Sequence, residues 1–273
     1  MLKALRIVTI VVFVVAVVLF SIFYVYEKRT TDLTIPEIKV QEDLLEVSIS
    51  ATDEDLLEGV TAFDKKDGDI TDKIVVESIS QFLEDGICKV TYAVCDSDKH
   101  VVKNSRNIKY IDYTPPRFTM SRSMVFSVNE EVDIIGSIGA VDAIDGDISN
   151  KVVLTATDYS TDTLGVFTVT LQATNSMGDI VYLDLPLHIE ETSVAAPTVE
   201  LKEYLVYVKK GEKPDFNSNI SAVSSRGGQA IPYKSTISTN FDSETPGVYS
   251  VHYYVTDELG YESHSILTVV VEE

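Results

Sequence analysis

Three prolines set the frame of this chain. Pro36, Pro116 and Pro197 each open a short alternating run, PEIKV, PRFTM and PTVEL, and they stand 80 and 81 residues apart. Within each interval a second segment recurs: Val60–Asp64 (VTAFD), Ile138–Asp142 (IGAVD) and Ile220–Ser224 (ISAVS). A third landmark is a glycine followed by strict alternation. Gly86 leads Cys88, Val90, Tyr92 and Val94. Gly165 leads Phe167, Val169, Leu171 and Ala173. Gly247 leads Tyr249, Val251, Tyr253 and Val255. Successive side chains of a strand point to opposite faces, so this pattern marks a strand with one face on a core and one toward water. Polar turns close these strands at 95–98, 174–178 and 256–260, and final strands are expected at 108–111, 180–189 and 266–271.

Three landmarks repeating in one order divide the chain into units 32–112, 113–193 and 194–273. About seven short strands per unit, separated by turn signals, predict an all-β chain of three tandem immunoglobulin-like β-sandwiches, with an antiparallel barrel as the second candidate. The linkers are short and carry proline, which predicts a semi-rigid rod of sandwiches rather than loose beads.

Ahead of the repeats lies a different kind of segment. Residues 7–26 (IVTIVVFVVAVVLFSIFYVY) are twenty consecutive positions without a charge. At 1.5 Å per residue, that many cross a hydrocarbon layer of about 30 Å. Tyr24 and Tyr26 fall where an interfacial aromatic belt would. A cleaved signal peptide would have a shorter apolar region and a small-residue site after it; here the run ends in bulky SIFYVYEKR. The expected topology is a cytoplasmic tail at 1–6, a single-pass transmembrane signal anchor at 7–26, and extracellular domains beyond. Lys3 and Arg6 before the span, against Lys28 and Arg29 after it, add only a slight bias to that orientation. The chain closes within its last expected strand without an LPxTG-type sorting signal, so the helix is the expected tether.

Net charge is −21, which repels nucleic acid and anionic lipid headgroups, so no nucleic-acid partner is expected. The surplus is uneven: units one, two and three carry −10, −9 and −5. The third unit is therefore the better candidate for a partner surface; it also holds Tyr204, Tyr207, Tyr233, Tyr254 and Tyr261, whose simpler reading is ordinary sandwich core and edge. The two cysteines, Cys88 and Cys95, share one expected strand at an odd spacing. Seven residues of strand span roughly 23 Å, whereas a disulfide needs Cα atoms about 4.4–6.8 Å apart. No disulfide framework is expected.

The pattern V-T-A-x-D-x-x-D-G-D-I-T, followed by G-x-Y-x-V-x-Y-x-V-x-D-x-x-G, resembles the bacterial Ig-like repeats of Gram-positive surface proteins, a kind also found in some pesticidal crystal proteins. Unit one carries VTAFDKKDGDIT and unit two GAVDAIDGDIS. Unit three keeps only the second half, GVYSVHYYVTDELG, and has Ser224-Ser-Arg-Gly-Gly228 in place of DGDI. Unit one has Cys88 where an aromatic is usual. The resemblance implies repeats that serve as spacers, adhesins or appended modules at a cell surface.

Candidate chemistry centres on two acidic clusters. Asp64, Asp67, Asp69 and Asp72 surround Gly68, and Asp142, Asp145 and Asp147 surround Gly146. Calcium takes six to eight oxygens, so these carboxylates are the candidate metal ligands. The simpler reading is an Asp-Gly tight turn in which the carboxylates cap backbone N–H groups and Ile70 and Ile148 anchor the core. No cofactor is otherwise expected. The sequence has no H-E-x-x-H, G-x-S-x-G, P-loop or Rossmann signature, and His100, His188, His252 and His264 look scattered, so no enzymatic activity is expected. The expected function is a membrane-anchored structural or protein-interaction module in the bacterial envelope, with a calcium- or carbohydrate-binding adhesin-type module as the alternative. An envelope protein or a cell-surface glycan is the expected partner.

Overall fold

The computed structural model describes residues 2–30, 34–83 and 86–273, with side chains of the first helix described from 6 to 27. Met1 of the expected tail, the side chains of Lys3, Lys28 and Arg29, and the expected start of the first repeat at 32 lie outside the described residues. The chain forms two compact units, 1–112 and 113–273.

Helix α1 (Leu2–Thr30) has neither glycine nor proline and no polar stripe. Apolar residues run all round it, without the one-sided stripe of a helix lying on a core. Its stretch Arg6–Glu27 is long and apolar enough to cross a membrane by length and composition, and none of it is buried against the protein.

The first repeat comprises β1 (Glu37–Val40), β2 (Leu44–Val47), the short helix α2 (Asp53–Leu56), β3 (Val60–Asp64), β4 (Gly68–Asp69), β5 (Val75–Ile79), β6 (Ile87–Cys95) and β7 (Val101–Tyr110). One sheet runs β1-β3-β4 and the other β2-β7-β6-β5. Cys88, Val90, Tyr92 and Val94 of β6 are buried with Ile38, Ala62, Ile70 and Ile108. Cys95 lies exposed at the strand's other end, and both cysteines are free thiols. Thr52 caps α2 with a reciprocal box: its side chain accepts from Asp55 N, and its own amide donates to the Asp55 carboxylate. Behind the helix is a buried cation. Arg106 donates through Nη2 to Leu56 O (2.9 Å) and Glu58 O (2.6 Å), and through Nε to the Tyr92 hydroxyl (2.8 Å).

The second repeat comprises β8 (Arg117–Met120), β9 (Val125–Ser127), β10 (Ile138–Asp142), β11 (Gly146–Asp147), β12 (Val153–Thr157), β13 (Gly165–Thr174) and β14 (Ile180–Glu190). Its sheets, β11-β10-β8 and β12-β13-β14-β9, copy the plan of the first. The third comprises β15 (Thr198–Leu201), β16 (Leu205–Lys209), β17 (Ile220–Ser224), β18 (Tyr233–Thr239), β19 (Gly247–Asp257) and β20 (Glu262–Glu272), in sheets β15-β17 and β16-β20-β19-β18. The protein is thus all-β apart from its helices, with Ig-like β-sandwiches in tandem, as expected. Where the first two repeats fold a Gly-Asp strand, the third, lacking DGDI, keeps a single bridge between Ser224 and Ala230.

Two expectations change. The final strands begin earlier than their apolar patterns suggest, β7 at Val101 and β20 at Glu262. The first half of β7 is mostly exposed and polar, so its pairing with β6 leaves no hydrophobic signature. Second, the linker 190–197 does not space two separate sandwiches. Leu205 of the third repeat is buried in one apolar cluster with Phe118, Phe126 and Leu171 of the second, and Tyr207 and Val270 pack against it. Val251, Tyr253, Leu267 and Val269 fill the third repeat's own core. Strand β20 is therefore covered on both faces along its buried middle. Polar contacts complete the joint: Phe118 N donates to the Tyr207 hydroxyl at 2.9 Å, and Ile266 N to Ser123 Oγ at 2.8 Å. The Arg117 guanidinium grips the Glu272 carboxylate with two bonds.

Candidate functional site

The acidic residues build two near-identical turns. Asp64 and Asp142 close β3 and β10 and are buried. Asp64 Oδ1 accepts from Lys66 N (2.8 Å) and Asp67 N (2.9 Å); Asp142 Oδ1 accepts from Ile144 N (2.9 Å) and Asp145 N (2.8 Å). Each turn then reverses through a glycine at positive φ, Gly68 at 77° and Gly146 at 70°, a conformation open to glycine at little cost. Asp67 reaches over to the next loop and accepts from Ser97 N and Oγ, both at 2.7 Å. Asp145 does the same with Ser176 N (2.7 Å) and Oγ (2.5 Å), and also meets Lys151 Nζ at 2.8 Å. Asp69 and Asp147 accept from Thr71 N and Ser149 N at the start of the following 3-10 turns. Ile70 and Ile148 are buried beside them. The carboxylates thus spread over backbone donors. The group of three metal-ligand side chains that converges among the described residues lies elsewhere.

These bonds hold the carboxyls below their ordinary value: Asp67 through the Ser97 hydroxyl and amide, Asp145 through Lys151 and then Ser176. A depressed carboxyl contributes stability that is present above the ordinary carboxylate pKa of about 4 and is lost as pH falls through the folded value. The two clasps are therefore expected to loosen in acid. Amide-exchange protection factors at Ser97 and Ser176 should decline below pH about 4. Undiminished protection in more acid solution would contradict this account of the turns.

The histidines are where sequence and structure part. His188, His252 and His264, expected to be scattered, meet at one place, while His100 stays in the first unit on Asp96. His188 and Glu190 stand two apart on β14, on one face of the strand. His252 and His264 come from β19 and β20, where Tyr254 lies directly opposite His264 in the register. The His264 ring stacks on Tyr254 (centroids 4.5 Å), lies near-parallel to His252 (5.1 Å), and meets His188 edge-on at 5.8 Å. His264 Nδ1 lies 2.9 Å from Glu190 Oε1, His188 Nδ1 lies 3.5 Å from the same oxygen, and His252 Nδ1 lies 2.9 Å from His264 Nε2. The His188 and His264 side chains are only 12% and 7% exposed. The two imidazoles, His188 first, draw the Glu190 carboxyl down to about 2. Burial pushes the His252 pKa down, with repulsion from His264 and His188 added.

A cleft of about 550 Å³ opens beside this cluster, and Tyr204, Tyr254, Glu190, Glu262, His264 and Arg122 line it. Of the five tyrosines singled out in the third repeat, Tyr204 and Tyr254 face this cleft, Tyr207 is spent on the joint between repeats, and Tyr233 and Tyr261 are exposed elsewhere.

Fold and site together define a protein of tandem Ig-like β-sandwiches preceded by an apolar helix. No known family profile matches the chain. It is 31% identical over 139 residues to the pesticidal crystal protein Cry22Aa of Bacillus thuringiensis, covering 50% of this chain and 18% of that protein. It is 37% identical over 91 residues to an 81.3 kDa protein of Acholeplasma phage L2, covering 32% of this chain and 12% of that one. The match thus spans less than a fifth of either relative. Among solved structures, Drosophila N-cadherin EC1-3 is similar at 13% identity, with 89% of this chain and 90% of that one covered and a TM-score of 0.32. The M60 catalytic domain with CBM51-1 and CBM51-2 of Clostridium perfringens ZmpB is similar at 14% identity, with 88% and 31% covered and a TM-score of 0.24.

Proposed function

We propose that the chain is a membrane-tethered, non-catalytic interaction module of the Ig-like repeat kind found on bacterial surfaces, with its sandwiches outside the cell. The observation that carries this reading is the exposed apolar stretch Arg6–Glu27 joined to sandwiches built for cohesion rather than chemistry. A helix of that length and composition has a place to bury its surface in a bilayer. The acidic residues of both turns are spent on holding loops together. The relatives fit a portable module: the similar stretch occupies a small share of a pesticidal crystal protein and of a phage protein.

An envelope protein is the partner this reading favours. A cell-surface glycan is the second reading, supported by the pairing of Tyr204 and Tyr254 with carboxylates in one cleft, since rings and hydrogen-bonding acids are what sugar faces and hydroxyls require. The test is made in intact cells. The full chain is expected to stay with the membrane through an alkaline carbonate wash, and externally added protease is expected to digest its sandwiches. Release into the medium, or protection from that protease, would overturn the reading. A photocrosslinker at Glu262 on the cleft rim should capture an envelope protein, whereas the same probe at Tyr233 should not. Captured glycan instead would select the second reading.

A further inference from the structure

We propose that His188, Glu190 and His264 form a binding site for a divalent transition-metal ion of the zinc class, which ties the second repeat to the third. Two ligands come from β14, at the end of the second repeat, and one from β20 of the third. Their donor atoms all lie within 4.8 Å of one another. Tetrahedral zinc, with bonds of about 2.0–2.1 Å, places its ligand atoms about 3.4 Å apart. The separations of 2.9 and 3.5 Å on Glu190 Oε1 bracket that distance, so only small side-chain rotations are needed.

The donor set decides the class of ion. Two imidazole nitrogens and one carboxylate oxygen suit zinc, copper, nickel or iron, whereas calcium wants oxygens alone. The surroundings match what such a site needs. His252 Nδ1 lies 2.9 Å from His264 Nε2, placed to accept a hydrogen from it. That fixes the tautomer which leaves His264 Nδ1 free as a ligand, and outer hydrogen bonds of this kind orient metal-bound imidazoles. Tyr254 stacks on a face of the His264 ring and sets its plane. The acidic cleft, lined by Glu190 and His264, supplies an entry path. Without an ion, two imidazoles compete for one carboxylate oxygen. With one, all three groups find the same partner. The proposal does not depend on which partner the module binds.

The test uses the full chain in detergent, stripped with chelator and titrated with Co²⁺, then with ZnCl₂. The expected result is one Co²⁺ per chain with the intense visible absorption of a four-coordinate site, displaced by one equivalent of zinc. In zinc at about a hundred times its Kd, the melting transition of 113–273 should rise by roughly 5–10 °C. CaCl₂ should leave it in place. His188→Gln and His264→Gln should each weaken zinc binding by at least about 100-fold and His252→Gln by about 10-fold, while His100→Gln retains it. Only the weak spectrum of hydrated Co²⁺ in the unaltered chain would overturn the proposal, and that measurement does not depend on any variant folding. So would a four-coordinate spectrum that survives both His188→Gln and His264→Gln.

Discussion

Replacing Arg106 with methionine is expected to destabilise the first repeat by about 3 kcal/mol, lowering its melting temperature by roughly 10–20 °C. Arg106 is 4% exposed and has no carboxylate partner among the described residues; two backbone carbonyls and a hydroxyl solvate its charge. The two carbonyls, Leu56 O and Glu58 O, belong to the end of α2 and the turn after it. A cation there also opposes the negative end of the backbone dipoles. Methionine fills most of the volume and removes the cost of burying a charge, but it strips Glu58 O of its bond and frees the helix from the sheet. Tyr92→Phe is the complementary change. It leaves Arg106 Nε buried without its acceptor and takes a donor from Leu56 O, which the Tyr92 hydroxyl meets at 2.7 Å. The two losses share one network, so the double variant should cost less than the sum of the singles by about 1 kcal/mol or more. Strict additivity, or an unchanged melting point for Arg106→Met, would sink this account.

The second large effect separates two turns that look alike in sequence. Asp142→Ala is expected to destabilise the 113–273 unit by about 3 kcal/mol, a drop of roughly 6–12 °C. Its carboxylate serves Ile144 N, Asp145 N and, through Oδ2, the buried Asn175 Nδ2 at 3.1 Å. Asp142→Asn keeps the Oδ1 bonds but sets one amide NH₂ against another, and should cost about 2 kcal/mol. Asp64→Asn should cost less than about 1 kcal/mol, because Asp64 Oδ2 is buried without a hydrogen-bond donor. The place of Asn175 in the second repeat belongs to Asp96 in the first, whose carboxylate is turned to the amide and ring of His100. Equal penalties for Asp64→Asn and Asp142→Asn, by denaturant or thermal melts, would refute this reading of the orphaned oxygen.

Much of the architecture is legible along the chain because one face of each central strand is buried and the other wet. The alternation after Gly86, Gly165 and Gly247 falls on β6, β13 and β19, and the DGD motifs fall on turns whose carboxylates hold loops. What could not be read is anything that depends on two repeats meeting. The three histidines of the cluster sit on separate strands, and no spacing links His188 to His264. One signal was present in the residues: Ile266-Leu-Thr-Val-Val-Val271 is apolar at five of six consecutive positions where a half-wet strand would alternate. Such a run marks a strand covered on both faces. The second cover is the preceding repeat, with Val270 packed against its cluster. His252 lies on that same outward side of its strand, between Val251 and Tyr253 of the core.

The shared cluster around Leu205 also bears on how such a chain can be rearranged by recombination. A repeat whose outer sheet is wet can be duplicated, deleted or moved to another gene without leaving a wound. Cutting between the second and third repeats would expose Leu205, Tyr207 and Val270 on one side and the surface they cover on the other. The unit that can be inherited intact is therefore the pair, and point changes at the joint are constrained from both sides at once.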